Sequence, residues 1–207
     1  MIVIVDYGAS NLGSIINMFN RIGVTTRVAS KANELGGATA IILPGLGHFD
    51  SCAKKLKDRG FASALEEPAF SSRIPILGIC VGAQLLTKGS EEGSEMGLGW
   101  IDAVSLRFPI RADPKYKIPH MGWNIVEPAI PHRLFTGMEQ DPRFYFVHSY
   151  YIKTTQPNSI LCRTTHGIEF ASGIRRDNIY GVQFHPEKSH RFGLRLFENF
   201  SNMQNPA

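Results

Sequence analysis

Apolar residues recur along this chain in two rhythms. Ile2 to Val5 is an unbroken apolar run rich in β-branched side chains, which suits a strand buried on both faces. After the turn Asp6 to Asn11, the residues Leu12, Ile15, Ile16, Phe19 and Ile22 fall on one side of a 3.6-residue repeat. They predict an amphipathic helix that stops at Gly23. Val24 to Ala29 and Ala38 to Leu43 read as the next two strands, so the chain opens as β-α-β with a right-handed crossover. Lys54 to Lys57 and Phe61 to Glu67 predict one or two helices. Pro75 to Ile79 is a further continuous apolar run, as a central parallel strand requires, and a helix is expected to start at Ala83 and run to Lys88.

The pattern then changes. Between Leu98 and Gly181 the apolar runs are short: Trp123 to Val126, Phe144 to Tyr151, Ile160 to Thr164, Ile168 to Ser172. Pro, Gly, Asn and His punctuate them, which suits antiparallel hairpins. Tyr180 to Phe184 returns to an apolar strand, and Leu194, Phe197 and Phe200 mark a closing helix. The fold class expected is α/β, a mostly parallel sheet flanked by helices on both sides, with antiparallel β insertions in the second half. A length of 207 residues without a repeat or linker is read as a single domain, 1–207.

Composition narrows the class of function. Twenty-two basic against eighteen acidic side chains leave a net +4 that is spread along the chain, with no block of like charges. No nucleic-acid partner is expected from that distribution. The three cysteines form no CxxC pair, which suits a reducing cytoplasm. The first residues carry no basic segment before a short apolar run, so no signal peptide is expected, and no stretch approaches a membrane span. The remaining histidines (His48, His120, His132, His166, His190) lack ligand spacing, and neither a dinucleotide fingerprint nor a P-loop occurs. No metal and no cofactor is expected.

Two short segments carry candidate chemistry. Gly78-Ile79-Cys80-Val81-Gly82 has the layout of a nucleophile elbow with Cys in place of Ser. A strand ending where a helix begins would expose the thiol on a tight turn, and the helix N-terminus would add positive potential. The N–H of Val81 would face a developing oxyanion. A buried core cysteine fits the same residues. Near the other end, His185 and Glu187 are two apart in an extended stretch held by Pro186, so their side chains leave on the same face. A carboxylate beside an imidazole fixes its tautomer and stabilises its charged form. A plain surface loop fits that segment too. Together the segments form a Cys-His-Glu triad at the C-terminal ends of strands, where ligands bind in open α/β sheets.

GICVGAQLL (78–86) together with QFHPEKS (183–189) resembles the class I, or triad, glutamine amidotransferase domain along the whole chain. LPGLGHF (43–49), PHMGWN (119–124) and FYFVHSY (144–150) are similar to segments of the glutaminase subunits of imidazole glycerol phosphate synthases. The resemblance implies a flavodoxin-like fold and hydrolysis of L-glutamine to glutamate and ammonia through a γ-glutamyl thioester. It implies Cys80 as nucleophile, His185 as general acid and base, and Glu187 as its orienter. Gln84, Glu92, His148, Ser149 and Tyr150 would bind glutamine. Gly45, Leu46, Gly47 and Val81 would form the oxyanion hole, after one peptide of the 44–47 loop rotates. Gly45 and Gly47 would make that rotation cheap.

A cyclase subunit built as a (β/α)8 barrel is the implied heterodimer partner and recipient of the ammonia. It would be docked through Asn11, Trp123, Tyr145 and Lys188. Trp123 and Tyr145 also fit core packing, and Lys188 a solvated surface charge. The chain departs from the family pattern at Gly8-Ala9-Ser10-Asn11, where Ser10 is expected to cap the following helix. At Ala83 a less filled pocket wall is expected. The segments 97–103 and 188–193 resemble a paralogous branch, in which ammonia serves an N-acetyl sugar amidotransferase of surface-polysaccharide synthesis. A subunit that only regulates its partner and a stand-alone Cys hydrolase on a similar α/β sheet are further alternatives; the filled triad positions speak against the first, and the segments 119–124 and 144–151 against the second.

Overall fold

In the computed structural model, which describes residues 1–109, 116–138 and 141–204, the apolar runs become the centre of one sheet. In chain order the first elements are β1 (Ile2–Val5), α1 (Leu12–Arg21), β2 (Thr26–Ala29), β3 (Ala40–Gly45), α2 (Phe49–Asp58) and α3 (Phe61–Ala64). Next come β4 (Ile76–Cys80), α4 (Val81–Leu85), β5 (Val104–Arg107), β6 (His120–Ile125), β7 (Glu127–Pro128) and β8 (Arg143–His148). The last are β9 (Tyr150–Lys153), β10 (Ile160–His166), β11 (Ile168–Arg176), β12 (Ile179–Val182) and α5 (His190–Ser201).

Strands β2-β1-β3-β4-β12 lie side by side and all run parallel. Every residue of β1, β3, β4 and β12 is buried, as strands covered on both faces must be. Antiparallel β11, β10 and β7 extend the sheet beyond β12, and β9 joins β11 to β5. The ribbon β6–β8 forms a separate two-stranded sheet. The helices flank the main sheet in two groups. α1 packs on α5, with the rings of Phe19 and Phe197 4.6 Å apart, while α2 contacts α3 and α4. Among the described residues no helix is long and apolar enough to cross a membrane.

The element types follow the sequence pattern, and the boundaries move for identifiable reasons. α1 ends as expected: Gly23 takes φ 72° and its N–H reaches back to Asn20 O. β2 begins at Thr26 because the N–H of Val24 is still held by Phe19 O. α2 starts at Phe49, earlier than the periodicity suggests, because the Nδ1 of His48 caps the N–H of Asp50. α4 stops at Leu85 instead of running to Lys88. The carbonyls of Leu85 and Leu86 are claimed by the N–H groups of Leu98 and Ile101, so the helix cannot use them. The run Phe144 to Tyr151 is two strands, broken at Ser149, which belong to different sheets. Ser10 does not cap α1: Asn11 occupies the N-cap and the Ser10 hydroxyl is buried without a hydrogen-bond partner. Ala83 is fully buried, packed against Gly181 of β12.

Candidate active site

Cys80 ends β4 with φ 54° and ψ −113°, a conformation that costs on the order of 1–3 kcal/mol for a residue with a side chain. Three glycines let neighbouring backbones hold it there. A Cβ on Gly82 would sit 1.9 Å from Leu43 O, one on Gly78 2.6 Å from Gly82 O, and one on Gly45 2.4 Å from Gly82 N. The need for glycine at position 45 is therefore close approach to the elbow rather than freedom to rotate. At Gly47 it is conformational, with φ 104° and open space around it. The helix that follows Cys80 has only five residues, so the positive potential at the sulfur comes from first-turn N–H groups and not from a long macrodipole.

The candidate base, His185, follows β12, which lies beside β4 with Val182 opposite Ile79. His185 Nδ1 lies 2.7 Å from Glu187 Oε1, and both side chains are buried. The His185 backbone is pinned on both sides. Its N–H donates to Tyr145 O at 2.8 Å and its carbonyl accepts from the Ser189 hydroxyl at 2.6 Å. Burial alone would depress the imidazole, but its interactions with Cys80 and Glu187 prevail and raise its pKa to about 10. With Nδ1 turned to the carboxylate, Nε2 is the atom left for the thiol. It completes no hydrogen bond in the resting structure, although Cys80 is near enough to act on it electrostatically.

Two residues without a role in the sequence reading also stand at the site. Gln183 Nε2 donates to Cys80 Sγ at 3.8 Å, while its Oε1 accepts from Gln84 Nε2 at 3.1 Å. Tyr7, fully buried, donates its hydroxyl to Pro44 O at 2.7 Å, and burial pushes its pKa well up. Gln183 was visible as the residue before the His-Pro-Glu segment, but its contact with the sulfur depends on β12 lying beside β4. Tyr7 sits in the turn after β1, and its partners come from the neighbouring β3 and from Cys52 of α2.

The expected glutamine-binding residues have varied placements. Gln84 is 3% exposed, with Nε2 also 3.4 Å from Tyr150 O and Oε1 buried without a partner. Glu92 accepts the N–H of Phe49 at 2.8 Å, so one carboxylate oxygen serves the first turn of α2. Both ring nitrogens of His148 are committed, to Tyr150 O at 2.8 Å and to His120 Nδ1 at 2.9 Å. Ser149 stands at the break between β8 and β9, and its carbonyl accepts from Phe108 N at 3.4 Å. In the expected oxyanion loop, Gly45 pairs with Cys80, and the N–H of Leu46 donates to Ala9 O at 2.8 Å.

Of the four expected docking residues, three form one face. Trp123 is 46% exposed, stacks on His190 at 5.3 Å and meets the Tyr145 ring at 6.1 Å. Lys188 Nζ lies 5.8 Å from the same tyrosine ring. Met121 extends this face, 62% exposed. Asn11 is exposed at the start of α1. Cys52 and Cys162 are buried thiols whose pKa values burial raises, as structural cysteines should be. Among the described residues, no group of three or more His, Cys, Asp or Glu side chains could hold a metal ion.

Burial holds the imidazoles of His120 and His148 down to a pKa of about 3. The unfolded chain therefore binds protons below about pH 6.5 that the folded chain refuses, and stability must fall as pH falls through that window. His185, with its raised pKa, opposes this only down to about pH 6.5 and adds nothing more below it, where it is protonated in both states. We expect a loss on the order of 1 kcal/mol per pH unit for each ring. It would be read as a lower urea midpoint at about pH 5 than at about pH 7, and a level midpoint would contradict it.

The family model described as glutamine amidotransferase class-I matches residues 3–203. The chain is similar to the imidazole glycerol phosphate synthase subunit HisH 2 of Pseudomonas aeruginosa, with 45% identity over 200 residues, 97% of this chain and 98% of that protein. It is similar to a protein of the same name from Methanococcus maripaludis, with 47% identity over 97% of this chain and 98% of that one. It also resembles the imidazole glycerol phosphate synthase subunit HisH of Bdellovibrio bacteriovorus, with 44% identity over 98% of this chain and all of that one. Among solved structures, one titled as a glutamine amidotransferase superposes with a TM-score of 0.75, 18% identity and 98% coverage of both chains. The structure of PurLQS from Thermotoga maritima gives a TM-score of 0.73, 18% identity and 97% coverage of both. At that identity the likeness speaks for the fold alone.

Proposed function

This chain belongs to the class I glutamine amidotransferase family, and from that premise we propose that it is the glutaminase subunit of an imidazole glycerol phosphate synthase. The observation that carries the catalytic reading is the buried pair His185–Glu187, 2.7 Å apart, brought to the strained elbow of Cys80 by adjacent parallel strands. The Cys80 sulfur attacks the side-chain amide carbon of L-glutamine with the thiol proton already held on His185 Nε2. That proton passes from Nε2 to the departing nitrogen, the C–N bond breaks, and ammonia leaves a γ-glutamyl thioester. Water then attacks the thioester carbon, with His185 accepting its proton, and the C–S bond breaks to give glutamate and free thiol. Glu187 keeps Nδ1 protonated throughout.

The negative oxygen formed in each addition needs two donors. The N–H of Val81 is one, and the peptide before Leu46 must turn to supply the other. In the resting structure the Leu46 N–H is held by Ala9 O, which supports a gated enzyme whose free form is slow. The partner in this reading is a cyclase (β/α)8 barrel. It docks on the face of Trp123, Tyr145 and Lys188, takes the ammonia without its passing through bulk water, and makes imidazole glycerol phosphate and AICAR in histidine biosynthesis. Residues 1–207 act as one glutaminase domain, and the three buried free thiols are in keeping with a cytoplasmic setting.

The test is glutamate release from glutamine by the chain alone and with that barrel and an analogue of its substrate. Strong stimulation is expected, and equal rates alone and in complex would overturn the gating. If only an N-acetyl sugar amidotransferase's barrel stimulates, the chemistry stands and the recipient of the ammonia changes. The residues Gly97 to Ala103 and Lys188 to Gly193 are those that resemble that branch. Trp123→Ala is expected to weaken docking by roughly 2 kcal/mol, about thirtyfold in Kd by calorimetry. An unchanged Kd would remove this face from the interface.

A further inference from the structure

The ribbon β6–β8 has two faces. The strand period of two turns Met121, Trp123 and Tyr145 outward, and turns His120, Asn124 and His148 inward. The inward residues form a hydrogen-bond chain with only one consistent arrangement of protons. A carbonyl can only accept, so His148 Nδ1 carries the hydrogen that meets Tyr150 O at 2.8 Å. A neutral ring has one N–H, so His148 Nε2 accepts, from His120 Nδ1 at 2.9 Å. His120 Nε2 in turn accepts from Asn124 Nδ2 at 3.1 Å. The Asn124 amide is itself fixed: Nδ2 also donates to Thr165 O at 2.9 Å, and Oδ1 accepts from Ile125 N at 2.8 Å.

Both rings are buried, and the His120 ring is clamped between Phe146, at 4.6 Å and 24°, and His166, at 4.1 Å and 21°. Protonation of either would set donor against donor. Their pKa values near 3 are consistent with two neutral rings at pH 7.

The far end of the chain reaches the nucleophile. Tyr150 O accepts a second bond, from Gln84 Nε2 at 3.4 Å, and the same Nε2 donates to Gln183 Oε1 at 3.1 Å. That bond orients the Gln183 amide so that its Nε2 faces Cys80 Sγ. We propose that His120 and His148 are positioning residues for glutamine hydrolysis: a neutral, tautomer-locked pair that carries hydrogen bonds from the docking ribbon to the Tyr150 carbonyl, and so sets Gln84 and Gln183 around the Cys80 sulfur. The proposal rests on the glutaminase reading for its kinetic consequence and on the geometry alone for its tautomers.

The experiment uses the full chain. Two-bond nitrogen–proton correlation of the ring nitrogens at about pH 7 is expected to show His120 and His148 both protonated at Nδ1, the form that free neutral histidine disfavours. His120→Phe keeps a ring between Phe146 and His166 but removes the donor to His148. We expect the His148 Nε2 resonance to shift as that atom loses its donor, while Nδ1 keeps the hydrogen that meets Tyr150 O, and the kcat/KM of the partner-stimulated glutaminase to fall roughly tenfold, as one lost buried hydrogen bond allows. His120→Asn restores a donor near the place of Nδ1 and should recover most of both. Should His120→Phe fail to fold, the wild-type spectrum still decides, and Asn124→Leu removes the other end of the chain.

Nε2 protonation of His148 in the wild type would overturn the proposal. So would unchanged kcat/KM in a folded His120→Phe, or lowered stability in that variant with no shift of the His148 Nε2 resonance. Failure of the glutaminase reading shows differently: glutamate release would survive Cys80→Ala while the tautomer pattern stood.

Discussion

Cys80→Ala is expected to lower the partner-stimulated rate of glutamate release by about 10^4 to 10^6, with the fold and the docking face intact. Removal of the nucleophile in a Ser-His-Asp enzyme costs kcat on the order of 10^6, and the residue left behind comes from the oxyanion hole and binding alone. Here no other side chain can take over. His185 Nε2 could activate water, but without the thioester the amide must be attacked directly by that water. The structural cost is small by comparison. Alanine keeps the φ of 54° that the elbow imposes, and the loss of Sγ leaves Gln183 Nε2 without its acceptor, a penalty on the order of 1–3 kcal/mol. A glutamate assay, thermal unfolding and calorimetric docking separate these effects. Loss of docking in this variant would mean that Cys80 is a structural residue.

Gly82→Ala is expected to have the largest effect on the fold. Its Cβ would lie 1.9 Å from Leu43 O and 2.9 Å from Leu43 C, both backbone atoms of the central strand β3. No rotamer relieves a clash between two main chains, so α4 or β3 must move. Either shift displaces Cys80 and the Gly45 peptide that pairs with it. Overpacking of this kind costs about 3 kcal/mol or more. For a chain of this size that corresponds to a Tm lower by roughly 6–12 °C. Glutaminase activity should be lost even in the fraction that folds. Gly36→Ala is the control: nothing lies within 4 Å of its Cβ position and its φ is not left-handed, so its unfolding midpoint should barely change. Equal midpoints for the two variants would show that the elbow tolerates a side chain.

The two variants also mark how far the site can be read without coordinates. Gly78, Cys80 and Gly82 were legible because a strand-to-helix elbow is a local object, and its glycines and nucleophile lie within five residues. His185 and Glu187 were legible for the same reason, two positions apart on an extended segment. Gly45 illustrates the boundary. The sequence pointed to a glycine-rich turn and suggested rotation, yet the requirement at Gly45 is contact with Gly82, a residue on another element. The Leu46 N–H looked available for an oxyanion until its hydrogen bond to Ala9 O placed it elsewhere in the resting state. Gln183, Tyr7 and the second task of Glu92 left no local signal, since each partner lies far along the chain.

By itself the sequence determined the β-α-β opening, the buried parallel strands, the elbow, the His-Glu pair and the closing helix. These follow from periodicity, β-branching and glycine placement, which act through neighbours a few residues away. The tertiary structure decided the rest. Lateral order put β12 beside β4 and so joined the proposed base to the proposed nucleophile, and the break at Ser149 sent β8 and β9 into different sheets. The same packing gave His120 and His148 their partners and left Trp123 exposed on the opposite face of the same ribbon. Hydrogen-bond donors, acceptors and close backbone approaches are chosen by groups distant in the chain, and a pattern of apolar and polar positions carries no record of which one they meet.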